Sequence, residues 1–196
     1  GPRRRDHTIP GRLSDSDYEA LLASCDTGTE RGQRDVAMAM CMGNLGLRAC
    51  DVARVTLDDV AWADGTLTVR GSKSKTARAL PLDGRTGAAI ERYVTMRGPN
   101  EVTRALFPDT AGGAITSSQV QTAISLAAGR AGIKSYRGTH GLRRMVATNM
   151  VNAGVDVKTI ADVLGHERID TTMGYMKVSA DNLRKVVSAW PGEATS

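Results

Sequence analysis

Apolar residues repeat with a helical period along most of this chain and with a strand period in one short stretch. That stretch covers about residues 57–82, where Leu67 and Val69 alternate with polar residues. An alternation of this kind is typical of a half-buried strand. Asp64-Gly65 supplies a turn before the strand, and residues 78–82 read as a returning strand. The sequence therefore predicts a mainly α fold with a small antiparallel β-sheet, that is, an α+β class.

Residues that begin and end helices divide the remainder of the chain. Ser14 and Thr116 stand in capping-box patterns and Asp156 is a candidate N-cap, while Gly46, Gly154 and Gly165 are candidate helix ends. After the first helix at Ser14, helices are predicted at about 32–45, 49–55, 86–97, 117–130, 139–153, 157–164 and 179–190. The last of these carries a narrow apolar stripe.

Length, charge and cysteine content limit the classes of function. The chain has 196 residues, which suits one domain with a small appendage. Its net charge of +5 and pI of about 9.4 favour a polyanionic partner such as nucleic acid. The three cysteines, Cys25, Cys41 and Cys50, include no C-x-x-C pair, so neither a disulfide framework nor a zinc site is indicated. The sequence contains no apolar run of membrane-spanning length and no signal peptide, and we expect a cytoplasmic protein.

Five residues with reactive or charged side chains occur in a distinctive order. Arg48 lies at a helix boundary, and His140 and Arg143 are three residues apart, which places them on one helical face. His166 follows the helix-ending Gly165, and Tyr175 comes nine residues later. Each of these alone has an ordinary explanation as a surface or core residue. Their order and spacing together are what indicate a site.

This set resembles the tyrosine recombinases, the family of phage integrases and Xer-type resolvases. The family pattern contains an Arg in G-[LM]-R-x-x-[ED], a Lys in a β-hairpin, H-x-x-R, L-G-H and a Tyr nine residues beyond that His. The matching residues here are Gly46-Leu47-Arg48 with Asp51, Lys73, His140 with Arg143, Leu164-Gly165-His166, and Tyr175. The resemblance covers about residues 8–190. It implies the catalytic-domain fold of that family and site-specific DNA recombination as the activity.

Two arginines suit the phosphate chemistry that the resemblance implies. A guanidinium is always charged and offers a planar fork of donors, so Arg48 and Arg143 would clamp the non-bridging oxygens of a phosphodiester. Tyr175 would be the nucleophile, His140 a candidate base and His166 a candidate phosphate donor.

A lysine in the hairpin would protonate the leaving 5′ oxygen. Lys73 has the spacing expected for this general acid, and Lys75 remains an alternative. Asp51 stands where Glu is the commoner acid, and it would support His140 or an arginine from behind, or else be a surface acid at a helix start. The resemblance implies neither a metal nor another cofactor.

Four residues are candidates for DNA contact: Lys75, Lys134, Tyr136 and Arg137. Lys134, Tyr136 and Arg137 precede His140 and would lie against the DNA backbone or form a solvated loop. Gly1-Pro2 looks like a protease scar, and we expect residues 1–10 to be a basic linker, 11–178 the catalytic domain, and 179–196 a C-terminal helix and tail. That helix would dock on a neighbouring protomer or on its own domain.

The resemblance also suggests partners and limits. We expect double-stranded DNA as substrate, a tetramer on DNA, and a monomer or weak association in isolation, with no membrane partner. An N-terminal DNA-clamping domain is expected to be absent, so DNA binding by this chain alone should be weak and salt-sensitive. Alternatives are a type IB topoisomerase-like or telomere-resolving enzyme, a non-catalytic DNA-binding protein, and a metal-dependent nuclease.

Overall fold

The computed structural model describes residues 13–70, 77–100 and 102–165. Within these ranges the chain forms seven α-helices, one short 3-10 helix and one three-stranded sheet, which confirms the predicted α+β class. The helices are α1 Asp15–Ala23, α2 Glu30–Gly43, α3 Ala49–Arg54, α4 Gly84–Arg97, α5 Ser117–Arg130, α6 His140–Asn152 and α7 Val157–Leu164. The 3-10 helix is Leu57–Asp59, and the strands are β1 Val60–Ala61, β2 Thr66–Arg70 and β3 Ala77–Pro81. The predicted linker at 1–10 and helix at 179–190 lie outside the described residues.

Local capping chemistry sets the helix starts. The Ser14 hydroxyl accepts a hydrogen bond from the Asp17 amide at 3.0 Å, as predicted for the start of α1. Thr116 and Gln119 form the predicted capping box of α5, and the Asp156 carboxylate accepts from the Thr159 amide at 3.0 Å. Each cap satisfies an amide that has no partner within its own helix.

Two helices begin two residues earlier than predicted. In α2 the N-cap is Thr29, whose hydroxyl accepts from the Gly32 amide at 3.1 Å. In α4 the N-cap is Asp83, whose carboxylate accepts from the Thr86 amide at 3.0 Å. The helix α2 also ends earlier than predicted, at Gly43. The predicted helix starts rest on the period of the apolar residues, and these polar caps precede the residues that carry that period.

The sheet runs in the order β1-β2-β3 with both pairs antiparallel. Leu67 and Val69 of β2 are buried, as their alternation predicted, and they pair with Leu80 and Arg78 of β3. Gly65 makes the turn before β2 with φ of 59°. The tip between β2 and β3, with Lys73 and Lys75, lies outside the described residues.

Helix α2 lies at the centre of the core, packed against α1, α3, α4, α5 and α6. Two buried hydrogen bonds hold the C-terminal end of α2: the Tyr18 hydroxyl donates to Asn44 Oδ1 and Asn44 Nδ2 donates to Thr86 Oγ1, both at 2.9 Å.

The three cysteines are unpaired. Within the described ranges, no helix has both the length and the apolar content to cross a bilayer.

Candidate active site

The guanidinium of Arg143 is held by two backbone carbonyls. Arg143 lies in the first turn of α6 and is 7% exposed. Its Nη1 donates to the Gly46 carbonyl at 2.7 Å, and its Nη2 donates to the Leu164 carbonyl at the end of α7. Because a helix ends with carbonyls that have no partner in the helix, a cation placed there both satisfies one and interacts favourably with the helix dipole. The guanidinium of Arg143 thereby joins α6 to the segment at Gly46 and to the end of α7.

Arg48 reaches the same helix end from another direction. It is the N-cap residue of α3, with extended backbone, and it is half-buried. Its Nη2 donates to the Gly165 carbonyl at 3.2 Å. The two arginines therefore bind adjacent carbonyls, those of Leu164 and Gly165. His166 is the next residue in the sequence.

Gly46 allows the segment before Arg48 to approach α7. It has φ of 68°, a left-handed conformation that side chains disfavour. A Cβ there would lie 2.4 Å from Leu164 Cδ2, which is closer than real carbon atoms approach. This explains why the motif requires glycine two residues before the arginine.

Asp51 and Arg78 form a charged layer behind Arg48. The Asp51 carboxylate is buried and accepts a hydrogen bond from the Arg48 backbone amide at 3.2 Å. It also pairs with the Arg78 guanidinium of β3, with 3.6 Å between Asp51 Oδ2 and Arg78 Nη2. Of the two partners expected for Asp51, His140 and an arginine, these contacts favour an arginine, and its role in catalysis stays a prediction.

Positive charge is in excess around these residues. Burial, followed by the nearby Arg48 charge, lowers the pKa of Arg143 to about 10. Burial also lowers the pKa of Arg78, against the opposing effect of Asp51. Both groups remain protonated near neutral pH, so among the residues that the structure describes three guanidiniums face one carboxylate. A bound anion would relieve this imbalance.

An open pocket of about 140 Å³ lies beside the two motif arginines. His140, the first residue of α6, is exposed and lines this pocket together with Arg48 and Arg143, as its spacing from Arg143 predicted. The remaining polar lining comes from Ser117, Gln121 and Thr139. The pocket is thus lined by two cations and an imidazole.

Three of the candidate DNA-contact residues occupy a loop before α6, and the fourth, Lys75, lies outside the described residues. Lys134 and Arg137 are exposed, and Arg137 Nη1 donates to the carbonyls of Lys134 and Tyr136 at 2.7 and 2.9 Å. Tyr136 is half-buried and packs against the core. Its aromatic ring therefore contributes to packing, and contact of this loop with DNA stays a prediction.

Four predicted site residues lie outside the described residues: Lys73, Lys75, His166 and Tyr175. In the described ranges, no three His, Cys, Asp or Glu side chains converge on a point that would hold a metal ion.

Arg78 was not identified as a functional residue from the sequence, although a signal existed. It stands two residues before the buried Leu80 in β3, and alternate residues of a strand face the same side. A charged residue on the inward face of a strand requires a partner. Asp51 is that partner.

Comparisons with known proteins agree with the geometry. The profile of the phage integrase family matches residues 11–182. The tyrosine recombinase XerC of Oceanobacillus iheyensis is 30% identical over 90% of this chain and 60% of its own length. The tyrosine recombinase XerD of Pseudomonas putida is 34% identical over 91% of this chain and 61% of its own length. The chain therefore spans about three fifths of the length of these two relatives.

The fold is also that of a solved structure. The crystal structure of XerA recombinase superposes with a TM-score of 0.74, at 22% identity, over 92% of this chain and 65% of the other. At this level of identity the likeness concerns the fold.

Proposed function

The chain belongs to the phage integrase family, and from this membership we propose that it is the DNA-cleaving domain of a site-specific tyrosine recombinase. The observation that carries the proposal is the pair of guanidiniums, Arg48 and Arg143, fixed on adjacent carbonyls at the end of α7 beside His140. The substrate is double-stranded DNA, and the reaction is strand cleavage followed by religation to a different strand.

The arginine pair accounts for phosphate binding and activation. Attack on a phosphodiester places charge on its non-bridging oxygens, and fixed donors aimed at that charge lower the barrier most. Arg48 and Arg143 are already immobilised by carbonyl contacts, so little reorganisation is needed when the phosphate arrives. Carbonyls are neutral acceptors, and they leave the net positive charge of the pocket in place.

Tyr175 supplies the nucleophile in this proposal. A tyrosine has a reference pKa near 10, so about one hydroxyl in a thousand is ionised at pH 7. His140 accepts the hydroxyl proton as the Tyr175 oxygen bonds to phosphorus. The bond from phosphorus to the 5′ oxygen breaks, and Lys73, or alternatively Lys75, donates a proton to that oxygen. His166 donates a hydrogen bond to the phosphate.

The products of this step explain why no external energy source is needed. They are a 3′-phosphotyrosyl link and a free 5′ hydroxyl, and the phosphodiester energy is kept in the covalent link. A 5′ hydroxyl from a second strand reverses the reaction. No step requires a metal, because the arginines carry out the electrostatic role that metals have in other phosphoryl-transfer enzymes.

Partners and location follow from the same chemistry. Exchange between two duplexes requires four cleavage events, so a tetramer assembles on DNA. We propose that the chain in isolation is a monomer or associates weakly, and that it acts in the cytoplasm. Docking of the predicted helix at 179–190 on a neighbouring protomer or on its own domain stays a prediction.

A nicked duplex tests the proposal directly. The chain is incubated with a pool of nicked duplexes of randomised sequence, and the mixture is run on a denaturing gel. We expect a covalent protein–DNA adduct that persists in EDTA and is absent from Tyr175→Phe. An adduct that requires a divalent metal, or that survives in Tyr175→Phe, would show that the proposed chemistry is wrong.

The same assay separates the alternatives. A topoisomerase-like enzyme would form the adduct but return each strand to its own partner, which an added 5′-hydroxyl acceptor strand reveals. A non-catalytic DNA-binding protein would shift the duplexes on a native gel without forming an adduct.

A further inference from the structure

Arg78 is a half-buried cation that the phosphate chemistry above does not use. It lies on β3, its side chain is 19% exposed, and it pairs with Asp51 at 3.6 Å. Within the described part of the chain, its Nε and Nη2 are buried without a hydrogen-bond partner. Its guanidinium also packs directly on Gly165, since a Cβ at that position would lie 2.1 Å from Nη1 and 2.7 Å from Cζ.

Arg78, the third cation, matters because the buried carboxylate of Asp51 needs a counter-ion. Its carboxylate is 2% exposed, and a buried carboxylate without a counter-ion is strongly unfavourable. Among the described residues, the other cations around it are the side chains of Arg48 and Arg143, and Asp51 contributes electrostatically to the Arg143 site. Those are the two groups proposed to bind phosphate. A carboxylate paired with either of them would compete with the substrate for its charge.

We propose that Arg78 is a positioning residue that occupies the Asp51 carboxylate and so keeps Arg48 and Arg143 available for the DNA phosphate. This inference rests on the proposed function and assigns a role to a residue outside the family motif described above. Asp51 keeps its second contact, with the backbone amide of Arg48, which holds that residue at the start of α3 without engaging its side chain. The ion pair with Arg78 thus offsets the negative charge of Asp51, while the hydrogen bond from the Arg48 amide remains.

The proposal makes a prediction about two variants in combination. In Arg78→Met the carboxylate loses its partner and turns to the motif arginines, so anion affinity falls. In Arg78→Met with Asp51→Asn the competing charge is gone, while the asparagine oxygen still accepts from the Arg48 amide. The second substitution therefore rescues the first. A purely structural role for Arg78, or direct contact between Arg78 and phosphate, predicts no rescue.

Inorganic sulfate measures this without any catalytic step. Its affinity is determined by calorimetric titration for the full chain and for the variants Arg78→Met, Arg78→Lys, Asp51→Asn and the double variant. We expect Arg78→Met to lose about tenfold in affinity, or roughly 1.4 kcal/mol. We expect the double variant to regain most of that loss and Arg78→Lys, which keeps the charge, to stay within about threefold of the unmodified chain. Thermal unfolding checks that each variant is folded. If Arg78→Met does not fold, Arg78→Lys still tests the inference.

Adduct formation on the nicked duplex pool is the second readout, and it should follow the same order. A double variant as weak as Arg78→Met in both assays would overturn the inference, as would a full sulfate affinity in Arg78→Met. Failure of the proposed function gives a different result: the unmodified chain binds sulfate with the predicted variant pattern but forms no adduct.

Discussion

Substitution of Gly46 by alanine tests whether the close approach of two motif segments builds the arginine pair. Gly46 has φ of 68°, and an alanine Cβ there would lie 2.4 Å from Leu164 Cδ2. A left-handed conformation costs an L-residue about 1–2 kcal/mol. Forcing an extra carbon into a packed core costs roughly a further 1–3 kcal/mol. The two terms together predict that Gly46→Ala lowers the free energy of unfolding by about 2–5 kcal/mol.

Gly132 provides a matched control. It has the same φ of 68°, but nothing lies within 4 Å of the position that its Cβ would take. Gly132→Ala therefore carries the backbone strain and the unfolded-state effect of a Gly-to-Ala change without the steric clash. The difference between the two variants isolates the clash, and we expect Gly46→Ala to be less stable by about 1–3 kcal/mol.

Urea unfolding followed by circular dichroism measures both variants, and adduct formation measures the consequence for the site. Because the Gly46 carbonyl accepts from Arg143, displacement of this segment should slow cleavage in Gly46→Ala, whereas Gly132→Ala should cleave like the unmodified chain. Adding Leu164→Ala removes the clashing methyl, so the two substitutions together should cost less than the sum of their separate effects. Equal destabilisation in Gly46→Ala and Gly132→Ala, with additive behaviour of Leu164→Ala, would refute the steric argument.

Two more predictions concern the charge of the pocket. Arg143→Lys keeps a cation but cannot span the Gly46 and Leu164 carbonyls with one fork, so single-turnover adduct formation should fall by about a hundredfold or more; a lysine variant that cleaves at the unmodified rate would contradict this. Sulfate should stabilise the chain at pH 7, because Arg143, whose pKa is lowered to about 10, is still protonated there and lacks a full counter-charge. At ten times its dissociation constant, sulfate should raise the free energy of unfolding by about 1.4 kcal/mol over chloride at equal ionic strength. Arg143→Met should keep only the general stabilisation that sulfate gives any protein.

Much of the fold was predictable because helix starts depend on neighbouring residues. Ser14, Thr116 and Asp156 each bond an amide three residues away, so the sequence alone contains both partners. The alternation of apolar and polar residues in β2 is likewise a pattern between neighbouring residues. Thr29 and Asp83 use the same capping chemistry. The period of the apolar residues begins only after each cap, so it predicts a helix start two residues too late.

The sequence predicts which residues belong to the candidate site but not which contacts hold them in place. Arg48, His140 and Arg143 were identified by order and spacing, and the structure brings them to one pocket. Their partners are distant in sequence: the Gly46 carbonyl lies 97 residues from Arg143, and the Gly165 carbonyl lies 117 residues from Arg48. No local pattern encodes such contacts. The pairing of Arg78 with Asp51 depends on how β3 lies against α3, which sequence periodicity does not specify.

The contacts of the arginines also explain why the three motifs occur together. Arg143 donates to the carbonyl of Gly46, in the first motif, and Arg48 donates to the carbonyl of Gly165, in the last, so the first and last motifs each orient the guanidinium of another motif. A carbonyl is suited to this task because it fixes a guanidinium without neutralising it. Arg143 has five N–H groups, and its two carbonyl contacts require only two of them. A carboxylate in the same place would hold the arginine more strongly but would cancel the charge that a phosphate needs. The buried carboxylate of Asp51, near the pair, is accordingly bound to the backbone of Arg48 and to the side chain of a third arginine.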